Sequence, residues 1–248
     1  MSTSERVLSG IPGLDEILHG GFPRGRVILI LGGPGTGKTL LCTQFLYNGI
    51  HKHDENGIFV SLDETKIHFY KEMHFLGMDL EKLESNKKFI FLDASPIRHV
   101  PEKVKIGDLK IGRADFSISG LIERIKLSAE MIDAQRIAVD PISSLFLQYS
   151  NPYERRAAVV DLVEALTQIG ATVLVTSELL NLTMDRKARI EEYISHGVIL
   201  LQKLSIRGSS IRAIQVEKLR ESDIDLDLRP YKISNKGIEV FTQEKIIW

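Results

Sequence analysis

The amino-acid sequence predicts an α/β fold, a mostly parallel twisted sheet with helices on both faces and β-hairpins at its C-terminal side. Three observations carry that expectation. Short apolar runs recur between helical patterns, the rhythm of a parallel sheet whose strands are joined by helices. The runs are continuous rather than alternating, as strands buried on both faces must be. A glycine-rich segment follows the first run directly, where such a sheet turns from strand to helix.

The predicted strands are VILIL (27 to 31), IFVSL (58 to 62), FIFL (89 to 92), IAVD (137 to 140) and TVLVT (172 to 176). Residues 94 to 118, with Pro96, Pro101, Gly107, Gly112 and several lysines, show little periodicity and read as a long loop or insertion. A helix is expected over Leu121 to Asp133, with Ile122, Ile125, Ala129 and Ile132 facing inward. The clearest helix spans Pro152 to Ile169, where Val159, Leu162, Val163, Leu166 and Ile169 share a face. Asn151 can cap it, Pro152 suits its first position, Glu154 can return a reciprocal cap, and Gly170 can close it. VILLQKL (198 to 204) and IRAIQVEKL (211 to 219) flank Gly208, and YKIS and GIEVF flank Asn235-Lys236-Gly237, so two β-hairpins are expected to finish the sheet. In open α/β sheets ligands sit beyond the carboxyl ends of the strands, so the residues there are the functional candidates.

At 248 residues, 43% hydrophobic and 26% charged, the chain suits one large domain over residues 1 to 248. No apolar stretch is long enough to span a membrane. The N-terminal MSTSERVLSG lacks the apolar core of a signal peptide, and Cys42 as sole cysteine excludes a disulfide framework, so a reducing cytoplasm is expected. A net charge of -1 gives no global pull toward nucleic acid or anionic lipid. His51 and His53 have no further ligand spacing and read as exposed polar residues, and Cys42 reads as a small buried thiol.

GGPGTGKT (32 to 39) satisfies G-x-x-x-x-G-K-T between a strand and a helix. Glycines let the backbone wrap phosphate oxygens so that successive N–H groups and the helix N-terminus point at the anion. Gly33, Pro34, Gly35, Thr36, Gly37, Lys38, Thr39 and Leu40 are thus the expected ATP cradle. Lys38 would neutralise β- and γ-phosphate charge, and Thr39 would offer its hydroxyl to Mg²⁺. Asp140, ending its strand, can reach that Mg²⁺ directly or through water, or instead cap the following turn. Asp63 and Glu64 can orient or deprotonate the attacking water, or be the cap and first turn of a helix. Glu178 can sense the γ-phosphate or be a loop acid.

Together these residues, from Arg6 almost to the C-terminus, resemble the KaiC-like branch of the RecA superfamily, especially its single-domain archaeal ATPases. SGIPGLDEILHGG (9 to 21) ahead of GGPGTGKT carries the resemblance, with FVSLDE (59 to 64), IAVDPIS (137 to 143), VLVTSE (173 to 178) and VEKLRESD (216 to 223). It implies a RecA-type core, a Walker B role for Asp140 and catalytic roles for Asp63 and Glu64. It also implies a homohexameric ring with ATP between subunits, where Lys218 and Arg220 reach the neighbour's γ-phosphate. Read from the strand pattern alone, both are simply exposed. The chain departs from the family at Asp63, where a glutamate is usual, and at Glu221, where a glycine is usual. The adjacent Ser and Thr that two-domain clock members autophosphorylate fall here on Glu192 and Tyr193, so autokinase activity is not expected.

The leading expectation is therefore a Mg²⁺-dependent ATPase whose nucleotide state controls ring assembly and contact with a regulatory partner. Two others stand beside it. One is a DNA-binding recombinase paralogue, with NLTMDRKAR (181 to 189) as the basic loop but no aromatic to stack a base. The other is an ATP-sensing scaffold with little turnover, suggested by Asp63 and Glu221.

Overall fold

The computed structural model describes residues 5–95, 104–106, 109–111, 117–149, 151–179, 188–206 and 208–246. Strand β1 (Arg6–Val7) pairs antiparallel with β2 (Phe22–Pro23) around the short helix α1 (Leu14–Ile17). The main α/β layer follows: β3 (Val27–Gly32), α2 (Lys38–His53), β4 (Gly57–Ser61), α3 (Lys66–Phe75), α4 (Leu80–Ser85) and β5 (Phe89–Asp93). After a small antiparallel hairpin, β6 (Val104–Ile106) and β7 (Leu109–Ile111), come α5 (Ile118–Ile132), β8 (Arg136–Asp140), a 3₁₀ turn (Ile142–Gln148), α6 (Pro152–Ile169) and β9 (Thr172–Glu178). Helix α7 (Ile190–Ile194) leads into the meander β10 (Gly197–Ile206), β11 (Ser209–Leu219), β12 (Arg229–Ser234) and β13 (Gly237–Val240).

Among the described residues the main sheet has nine strands in the order β13-β12-β11-β10-β3-β9-β8-β4-β5. From β10 to β5 neighbours are parallel, and β11, β12 and β13 add on antiparallel. The continuous apolar runs have the expected cause. On β3, Ile28 and Ile30 enter the cluster with Leu41, Phe45 and Leu46 of α2, whereas Val27, Leu29 and Leu31 enter the one with Ile125 of α5 and Leu162 and Leu166 of α6. Each such side chain, fully removed from water, contributes about 1.5–3 kcal/mol. No described helix is long and apolar enough to cross a membrane.

The structure corrects several local expectations. Helix α5 begins at Ile118, before Leu121, because Ser117 Oγ accepts the Gly120 N–H at 3.0 Å and caps it there. Asn151 does cap α6, accepting the Tyr153 N–H at 2.9 Å, but among the described residues Glu154 returns no reciprocal bond. Asp63 and Glu64 are not the start of a helix. Ser61 Oγ accepts the Glu64 N–H at 2.9 Å and donates to the Glu64 carbonyl at 2.7 Å, a turn that delays α3 to Lys66 with Thr65 as its N-cap. The segment 94 to 118, expected as loop, contains the β6–β7 hairpin; the rest of it up to residue 116, Ala94 and Ser95 apart, lies outside the described residues.

A buried ion pair fastens the P-loop helix to the strand that ends in Asp140. Arg136, 1% exposed, opens β8 and donates to Glu55 Oε2 from Nε at 2.7 Å and to the Phe45 carbonyl of α2 at 2.9 Å. Its guanidinium lies 4.5 Å from the Phe45 ring centroid. Gly49 makes this possible, since a Cβ there would overlap the guanidinium.

Candidate functional site

The loop between β3 and α2 takes backbone conformations that glycine permits. Gly35 and Gly37 have φ of 67° and 89°, in the left-handed region. The Thr36 hydroxyl donates to the Gly33 carbonyl at 2.8 Å, and Lys38 Nζ donates to the carbonyls of Gly32 at 2.9 Å and Gly33 at 3.2 Å. The ammonium thus lies over the loop it belongs to. Burial lowers the Lys38 pKa, with the carboxylates of Asp140 and Glu178 opposing the shift.

Thr39, in the first turn of α2, donates its hydroxyl to Asp140 Oδ2 at 2.8 Å. The other carboxylate oxygen accepts from the Thr176 hydroxyl of β9. Burial pushes the Asp140 carboxyl up, while the two hydroxyls and Lys38 hold it down and nearby Asp63 adds to the rise. Hydroxyl and carboxylate oxygens on facing elements are the hard donors Mg²⁺ takes when it also binds phosphate, so Thr39 and Asp140 fit that ion.

Sheet order places the remaining acids. With β3, β9, β8 and β4 adjacent and parallel, their carboxyl ends converge on one edge. Glu178 pairs with Gly32 at the foot of the P-loop, and the Leu62 N–H donates to the Asp140 carbonyl at 2.8 Å, carrying Asp63 and Glu64 to the same edge. The predicted P-loop residues, Asp140, Asp63, Glu64 and Glu178 thus come together.

Lys218 and Arg220 do not join them within one chain. Lys218 pairs with Val198, which pairs with Leu29, and the Arg220 N–H reaches the His196 carbonyl beside Val27. Lys218 stands level with the middle of β3, roughly 10 Å below Gly32, and Arg220 at its opposite end, roughly 16 Å below, at about 3.3 Å per residue. Lys218 Nζ donates to the carbonyls of Glu192, Tyr193 and Ser195 at 2.9, 3.1 and 2.6 Å, and Arg220 to that of Tyr193 at 3.2 Å. Glu221 is engaged elsewhere, 2.7 Å from Arg26.

The family model described as "ATPase: KaiC" matches residues 7–245. The chain belongs to the KaiC ATPase family. It is 34% identical to the protein MJ1359 of Methanocaldococcus jannaschii over 96% of both chains. Its fold matches the crystal structure of the KaiC-like protein PH0186 of Pyrococcus horikoshii with a TM-score of 0.81, 31% identity, and coverage of 96% of this chain and 99% of that one. The circadian clock oscillator protein KaiC of Synechococcus elongatus is 37% identical over 93% of this chain, which spans only 43% of that relative.

Several residues of this KaiC-family site escaped the sequence reading. Thr176 follows the apolar Val173, Leu174 and Val175 on β9, and a polar residue buried there needs a partner, so the signal was present. Lys203, Arg212 and Tyr231 come from the C-terminal meander, far along the chain, and only strand pairing reveals that they flank the P-loop. Cys42 is buried and His51 and His53 are exposed, as expected. Residues 181–187 of the basic segment lie outside the described residues; Arg189 occupies the N-cap position of α7, where its N–H donates to Glu192 Oε1 at 2.9 Å, and its guanidinium stands 3.6 Å from Glu191.

Proposed function

We propose that the chain binds ATP in the β3–α2 loop and hydrolyses it at a site completed by a neighbouring copy in a homohexameric ring in the cytoplasm. The observation that carries this reading is the convergence of Lys38, Thr39, Asp140, Asp63 and Glu64 on one sheet edge. Mg²⁺ held by Thr39 and Asp140 would neutralise phosphate charge. Loop N–H groups from Gly33 to Leu40, Pro34 excepted, bind the phosphates, and Lys38 leaves the Gly32 and Gly33 carbonyls for their oxygens. Glu64, with Asp63 beside it, takes the proton of a water attacking the γ-phosphorus as the bond to the bridging oxygen breaks, releasing ADP and phosphate.

Register places Lys218 and Arg220 too far from their own P-loop, which supports their action in trans, as cations stabilising charge on the neighbour's phosphoryl group. A head-to-tail contact of this kind closes into a ring when its rotation allows. The Arg26–Glu221 pair keeps the acid after Arg220 occupied, removing one obstacle to that role. Nucleotide at such interfaces controls ring assembly and, through it, contact with a regulatory partner.

Nucleotide binding and steady-state phosphate release test the proposal. Lys38→Ala abolishes both, whereas Arg220→Ala binds ATP but turns it over more slowly. Wild-type rates of phosphate release in both variants would refute it.

A further inference from the structure

The C-terminal meander grips the phosphate loop from behind. Tyr231 on β12, 4% exposed, donates its hydroxyl to the Thr36 carbonyl at 2.5 Å. Ile233 of the same strand places Cδ1 2.8 Å from where a Cβ on Gly37 would stand. Lys203 Nζ lies 2.7 Å from the corresponding position on Gly35, and Arg212 Nε donates to the Gly35 carbonyl at 3.5 Å. The hairpin is itself fixed to α2, because Gln44 donates to the Ile238 carbonyl at 3.2 Å and accepts its N–H at 2.7 Å. Three successive loop residues are therefore touched by strands that follow them by some 170 to 200 positions.

Peptide geometry turns one of these contacts into a functional one. The Thr36 carbonyl and the Gly37 N–H belong to the same planar trans peptide, so they point in opposite directions. A hydroxyl that holds the carbonyl toward β12 aims the N–H away from β12, into the phosphate cradle. Burial pushes the Tyr231 phenol up, so the hydroxyl stays protonated as a donor.

We propose that Tyr231 is a positioning residue for the nucleotide, which fixes the Thr36–Gly37 peptide so that the Gly37 N–H meets the phosphates. The inference rests on the ATP-binding reading above. It distinguishes this hydroxyl from a mere core contact, since phenylalanine keeps the ring and its packing but releases the peptide.

The test compares Tyr231→Phe with Tyr70→Phe. Tyr70 is also buried and donates to Glu84 Oε2 at 3.0 Å, but it packs between α3, α4 and β5, away from the loop. Calorimetric titration with Mg²⁺-ADP, and KM and kcat for ATP, provide the readouts. For Tyr231→Phe, Kd rises about threefold to tenfold, the value of one neutral hydrogen bond, and the loss falls on KM more than on kcat. Tyr70→Phe lowers the melting temperature and leaves Kd unchanged. Wild-type Kd in Tyr231→Phe, with ADP bound normally by the parent, overturns the positioning role and leaves the ATP reading intact. A parent protein that fails to bind ADP overturns the ATP reading itself.

Discussion

Replacing Glu55 by glutamine tests how the P-loop helix is held to the strand that ends in Asp140. The side chain of Arg136 is 1% exposed and that of Glu55 14% exposed, with Arg136 Nη2 2.6 Å from Glu55 Oε2. Removing one partner of a buried pair costs about 3–5 kcal/mol, because the remaining charge loses its compensation. Glutamine keeps an acceptor and Glu55 is slightly wet, which places the cost near the lower figure, about 3 kcal/mol. In a chain of this size that lowers the melting temperature by roughly 6–12 °C. The pH dependence carries a second signature. Burial would push the Glu55 carboxyl up, but the guanidinium groups of Arg136 and Arg24 outweigh it and hold it below the ordinary glutamate value. Its contribution is therefore fully present above that value and is lost as pH falls through the lowered one. Urea unfolding at neutral and acid pH reads both effects: the variant is weaker at neutral pH and the gap closes in acid. Neutral-pH stability within 1 kcal/mol of wild type, or a gap that widens in acid, refutes the reasoning.

Other changes probe neighbouring contacts. Gly49→Ala, ordinarily favourable in a helix, destabilises by about 1–3 kcal/mol in urea unfolding, since the new Cβ overlaps Arg136. Thr39→Val keeps the shape but removes the hydroxyl that meets Asp140, so the Mg²⁺ concentration for half-maximal ATPase activity rises about tenfold or more, read by titrating the ion. Asn151→Ala removes the cap of α6 and lowers stability by about 1 kcal/mol, measured by thermal or urea unfolding.

Local signals were the legible ones. Strand runs buried on both faces, the Gly-x-x-x-x-Gly-Lys-Thr segment and the Asn151-Pro152 start of α6 each depend on neighbours within a few residues. Sequence alone leaves the start of α3 open, because Asp and Glu ahead of a helix resemble a cap, while the turn closed by Ser61 Oγ competes with the helix. Contacts across the sheet were not legible. Arg136 sits in a run that reads as an ordinary strand, yet its partner Glu55 is 81 residues away, and Tyr231 meets Thr36 across 195. The resemblance placed Lys218 and Arg220 among the catalytic residues, but only the strand register explains why their own P-loop is out of reach.

A mixing experiment tests the shared site most directly. Arg220→Ala lacks the trans cation but keeps its own Lys38 and Glu64, whereas Glu64→Gln lacks the acid but can lend Arg220 to a neighbour. Each alone releases phosphate slowly. When the two are mixed and allowed to exchange subunits, roughly a quarter of interfaces pair an intact site with an intact Arg220, and ATPase activity recovers in proportion. Activity that stays at the mean of the two variants after exchange contradicts a site built from two chains.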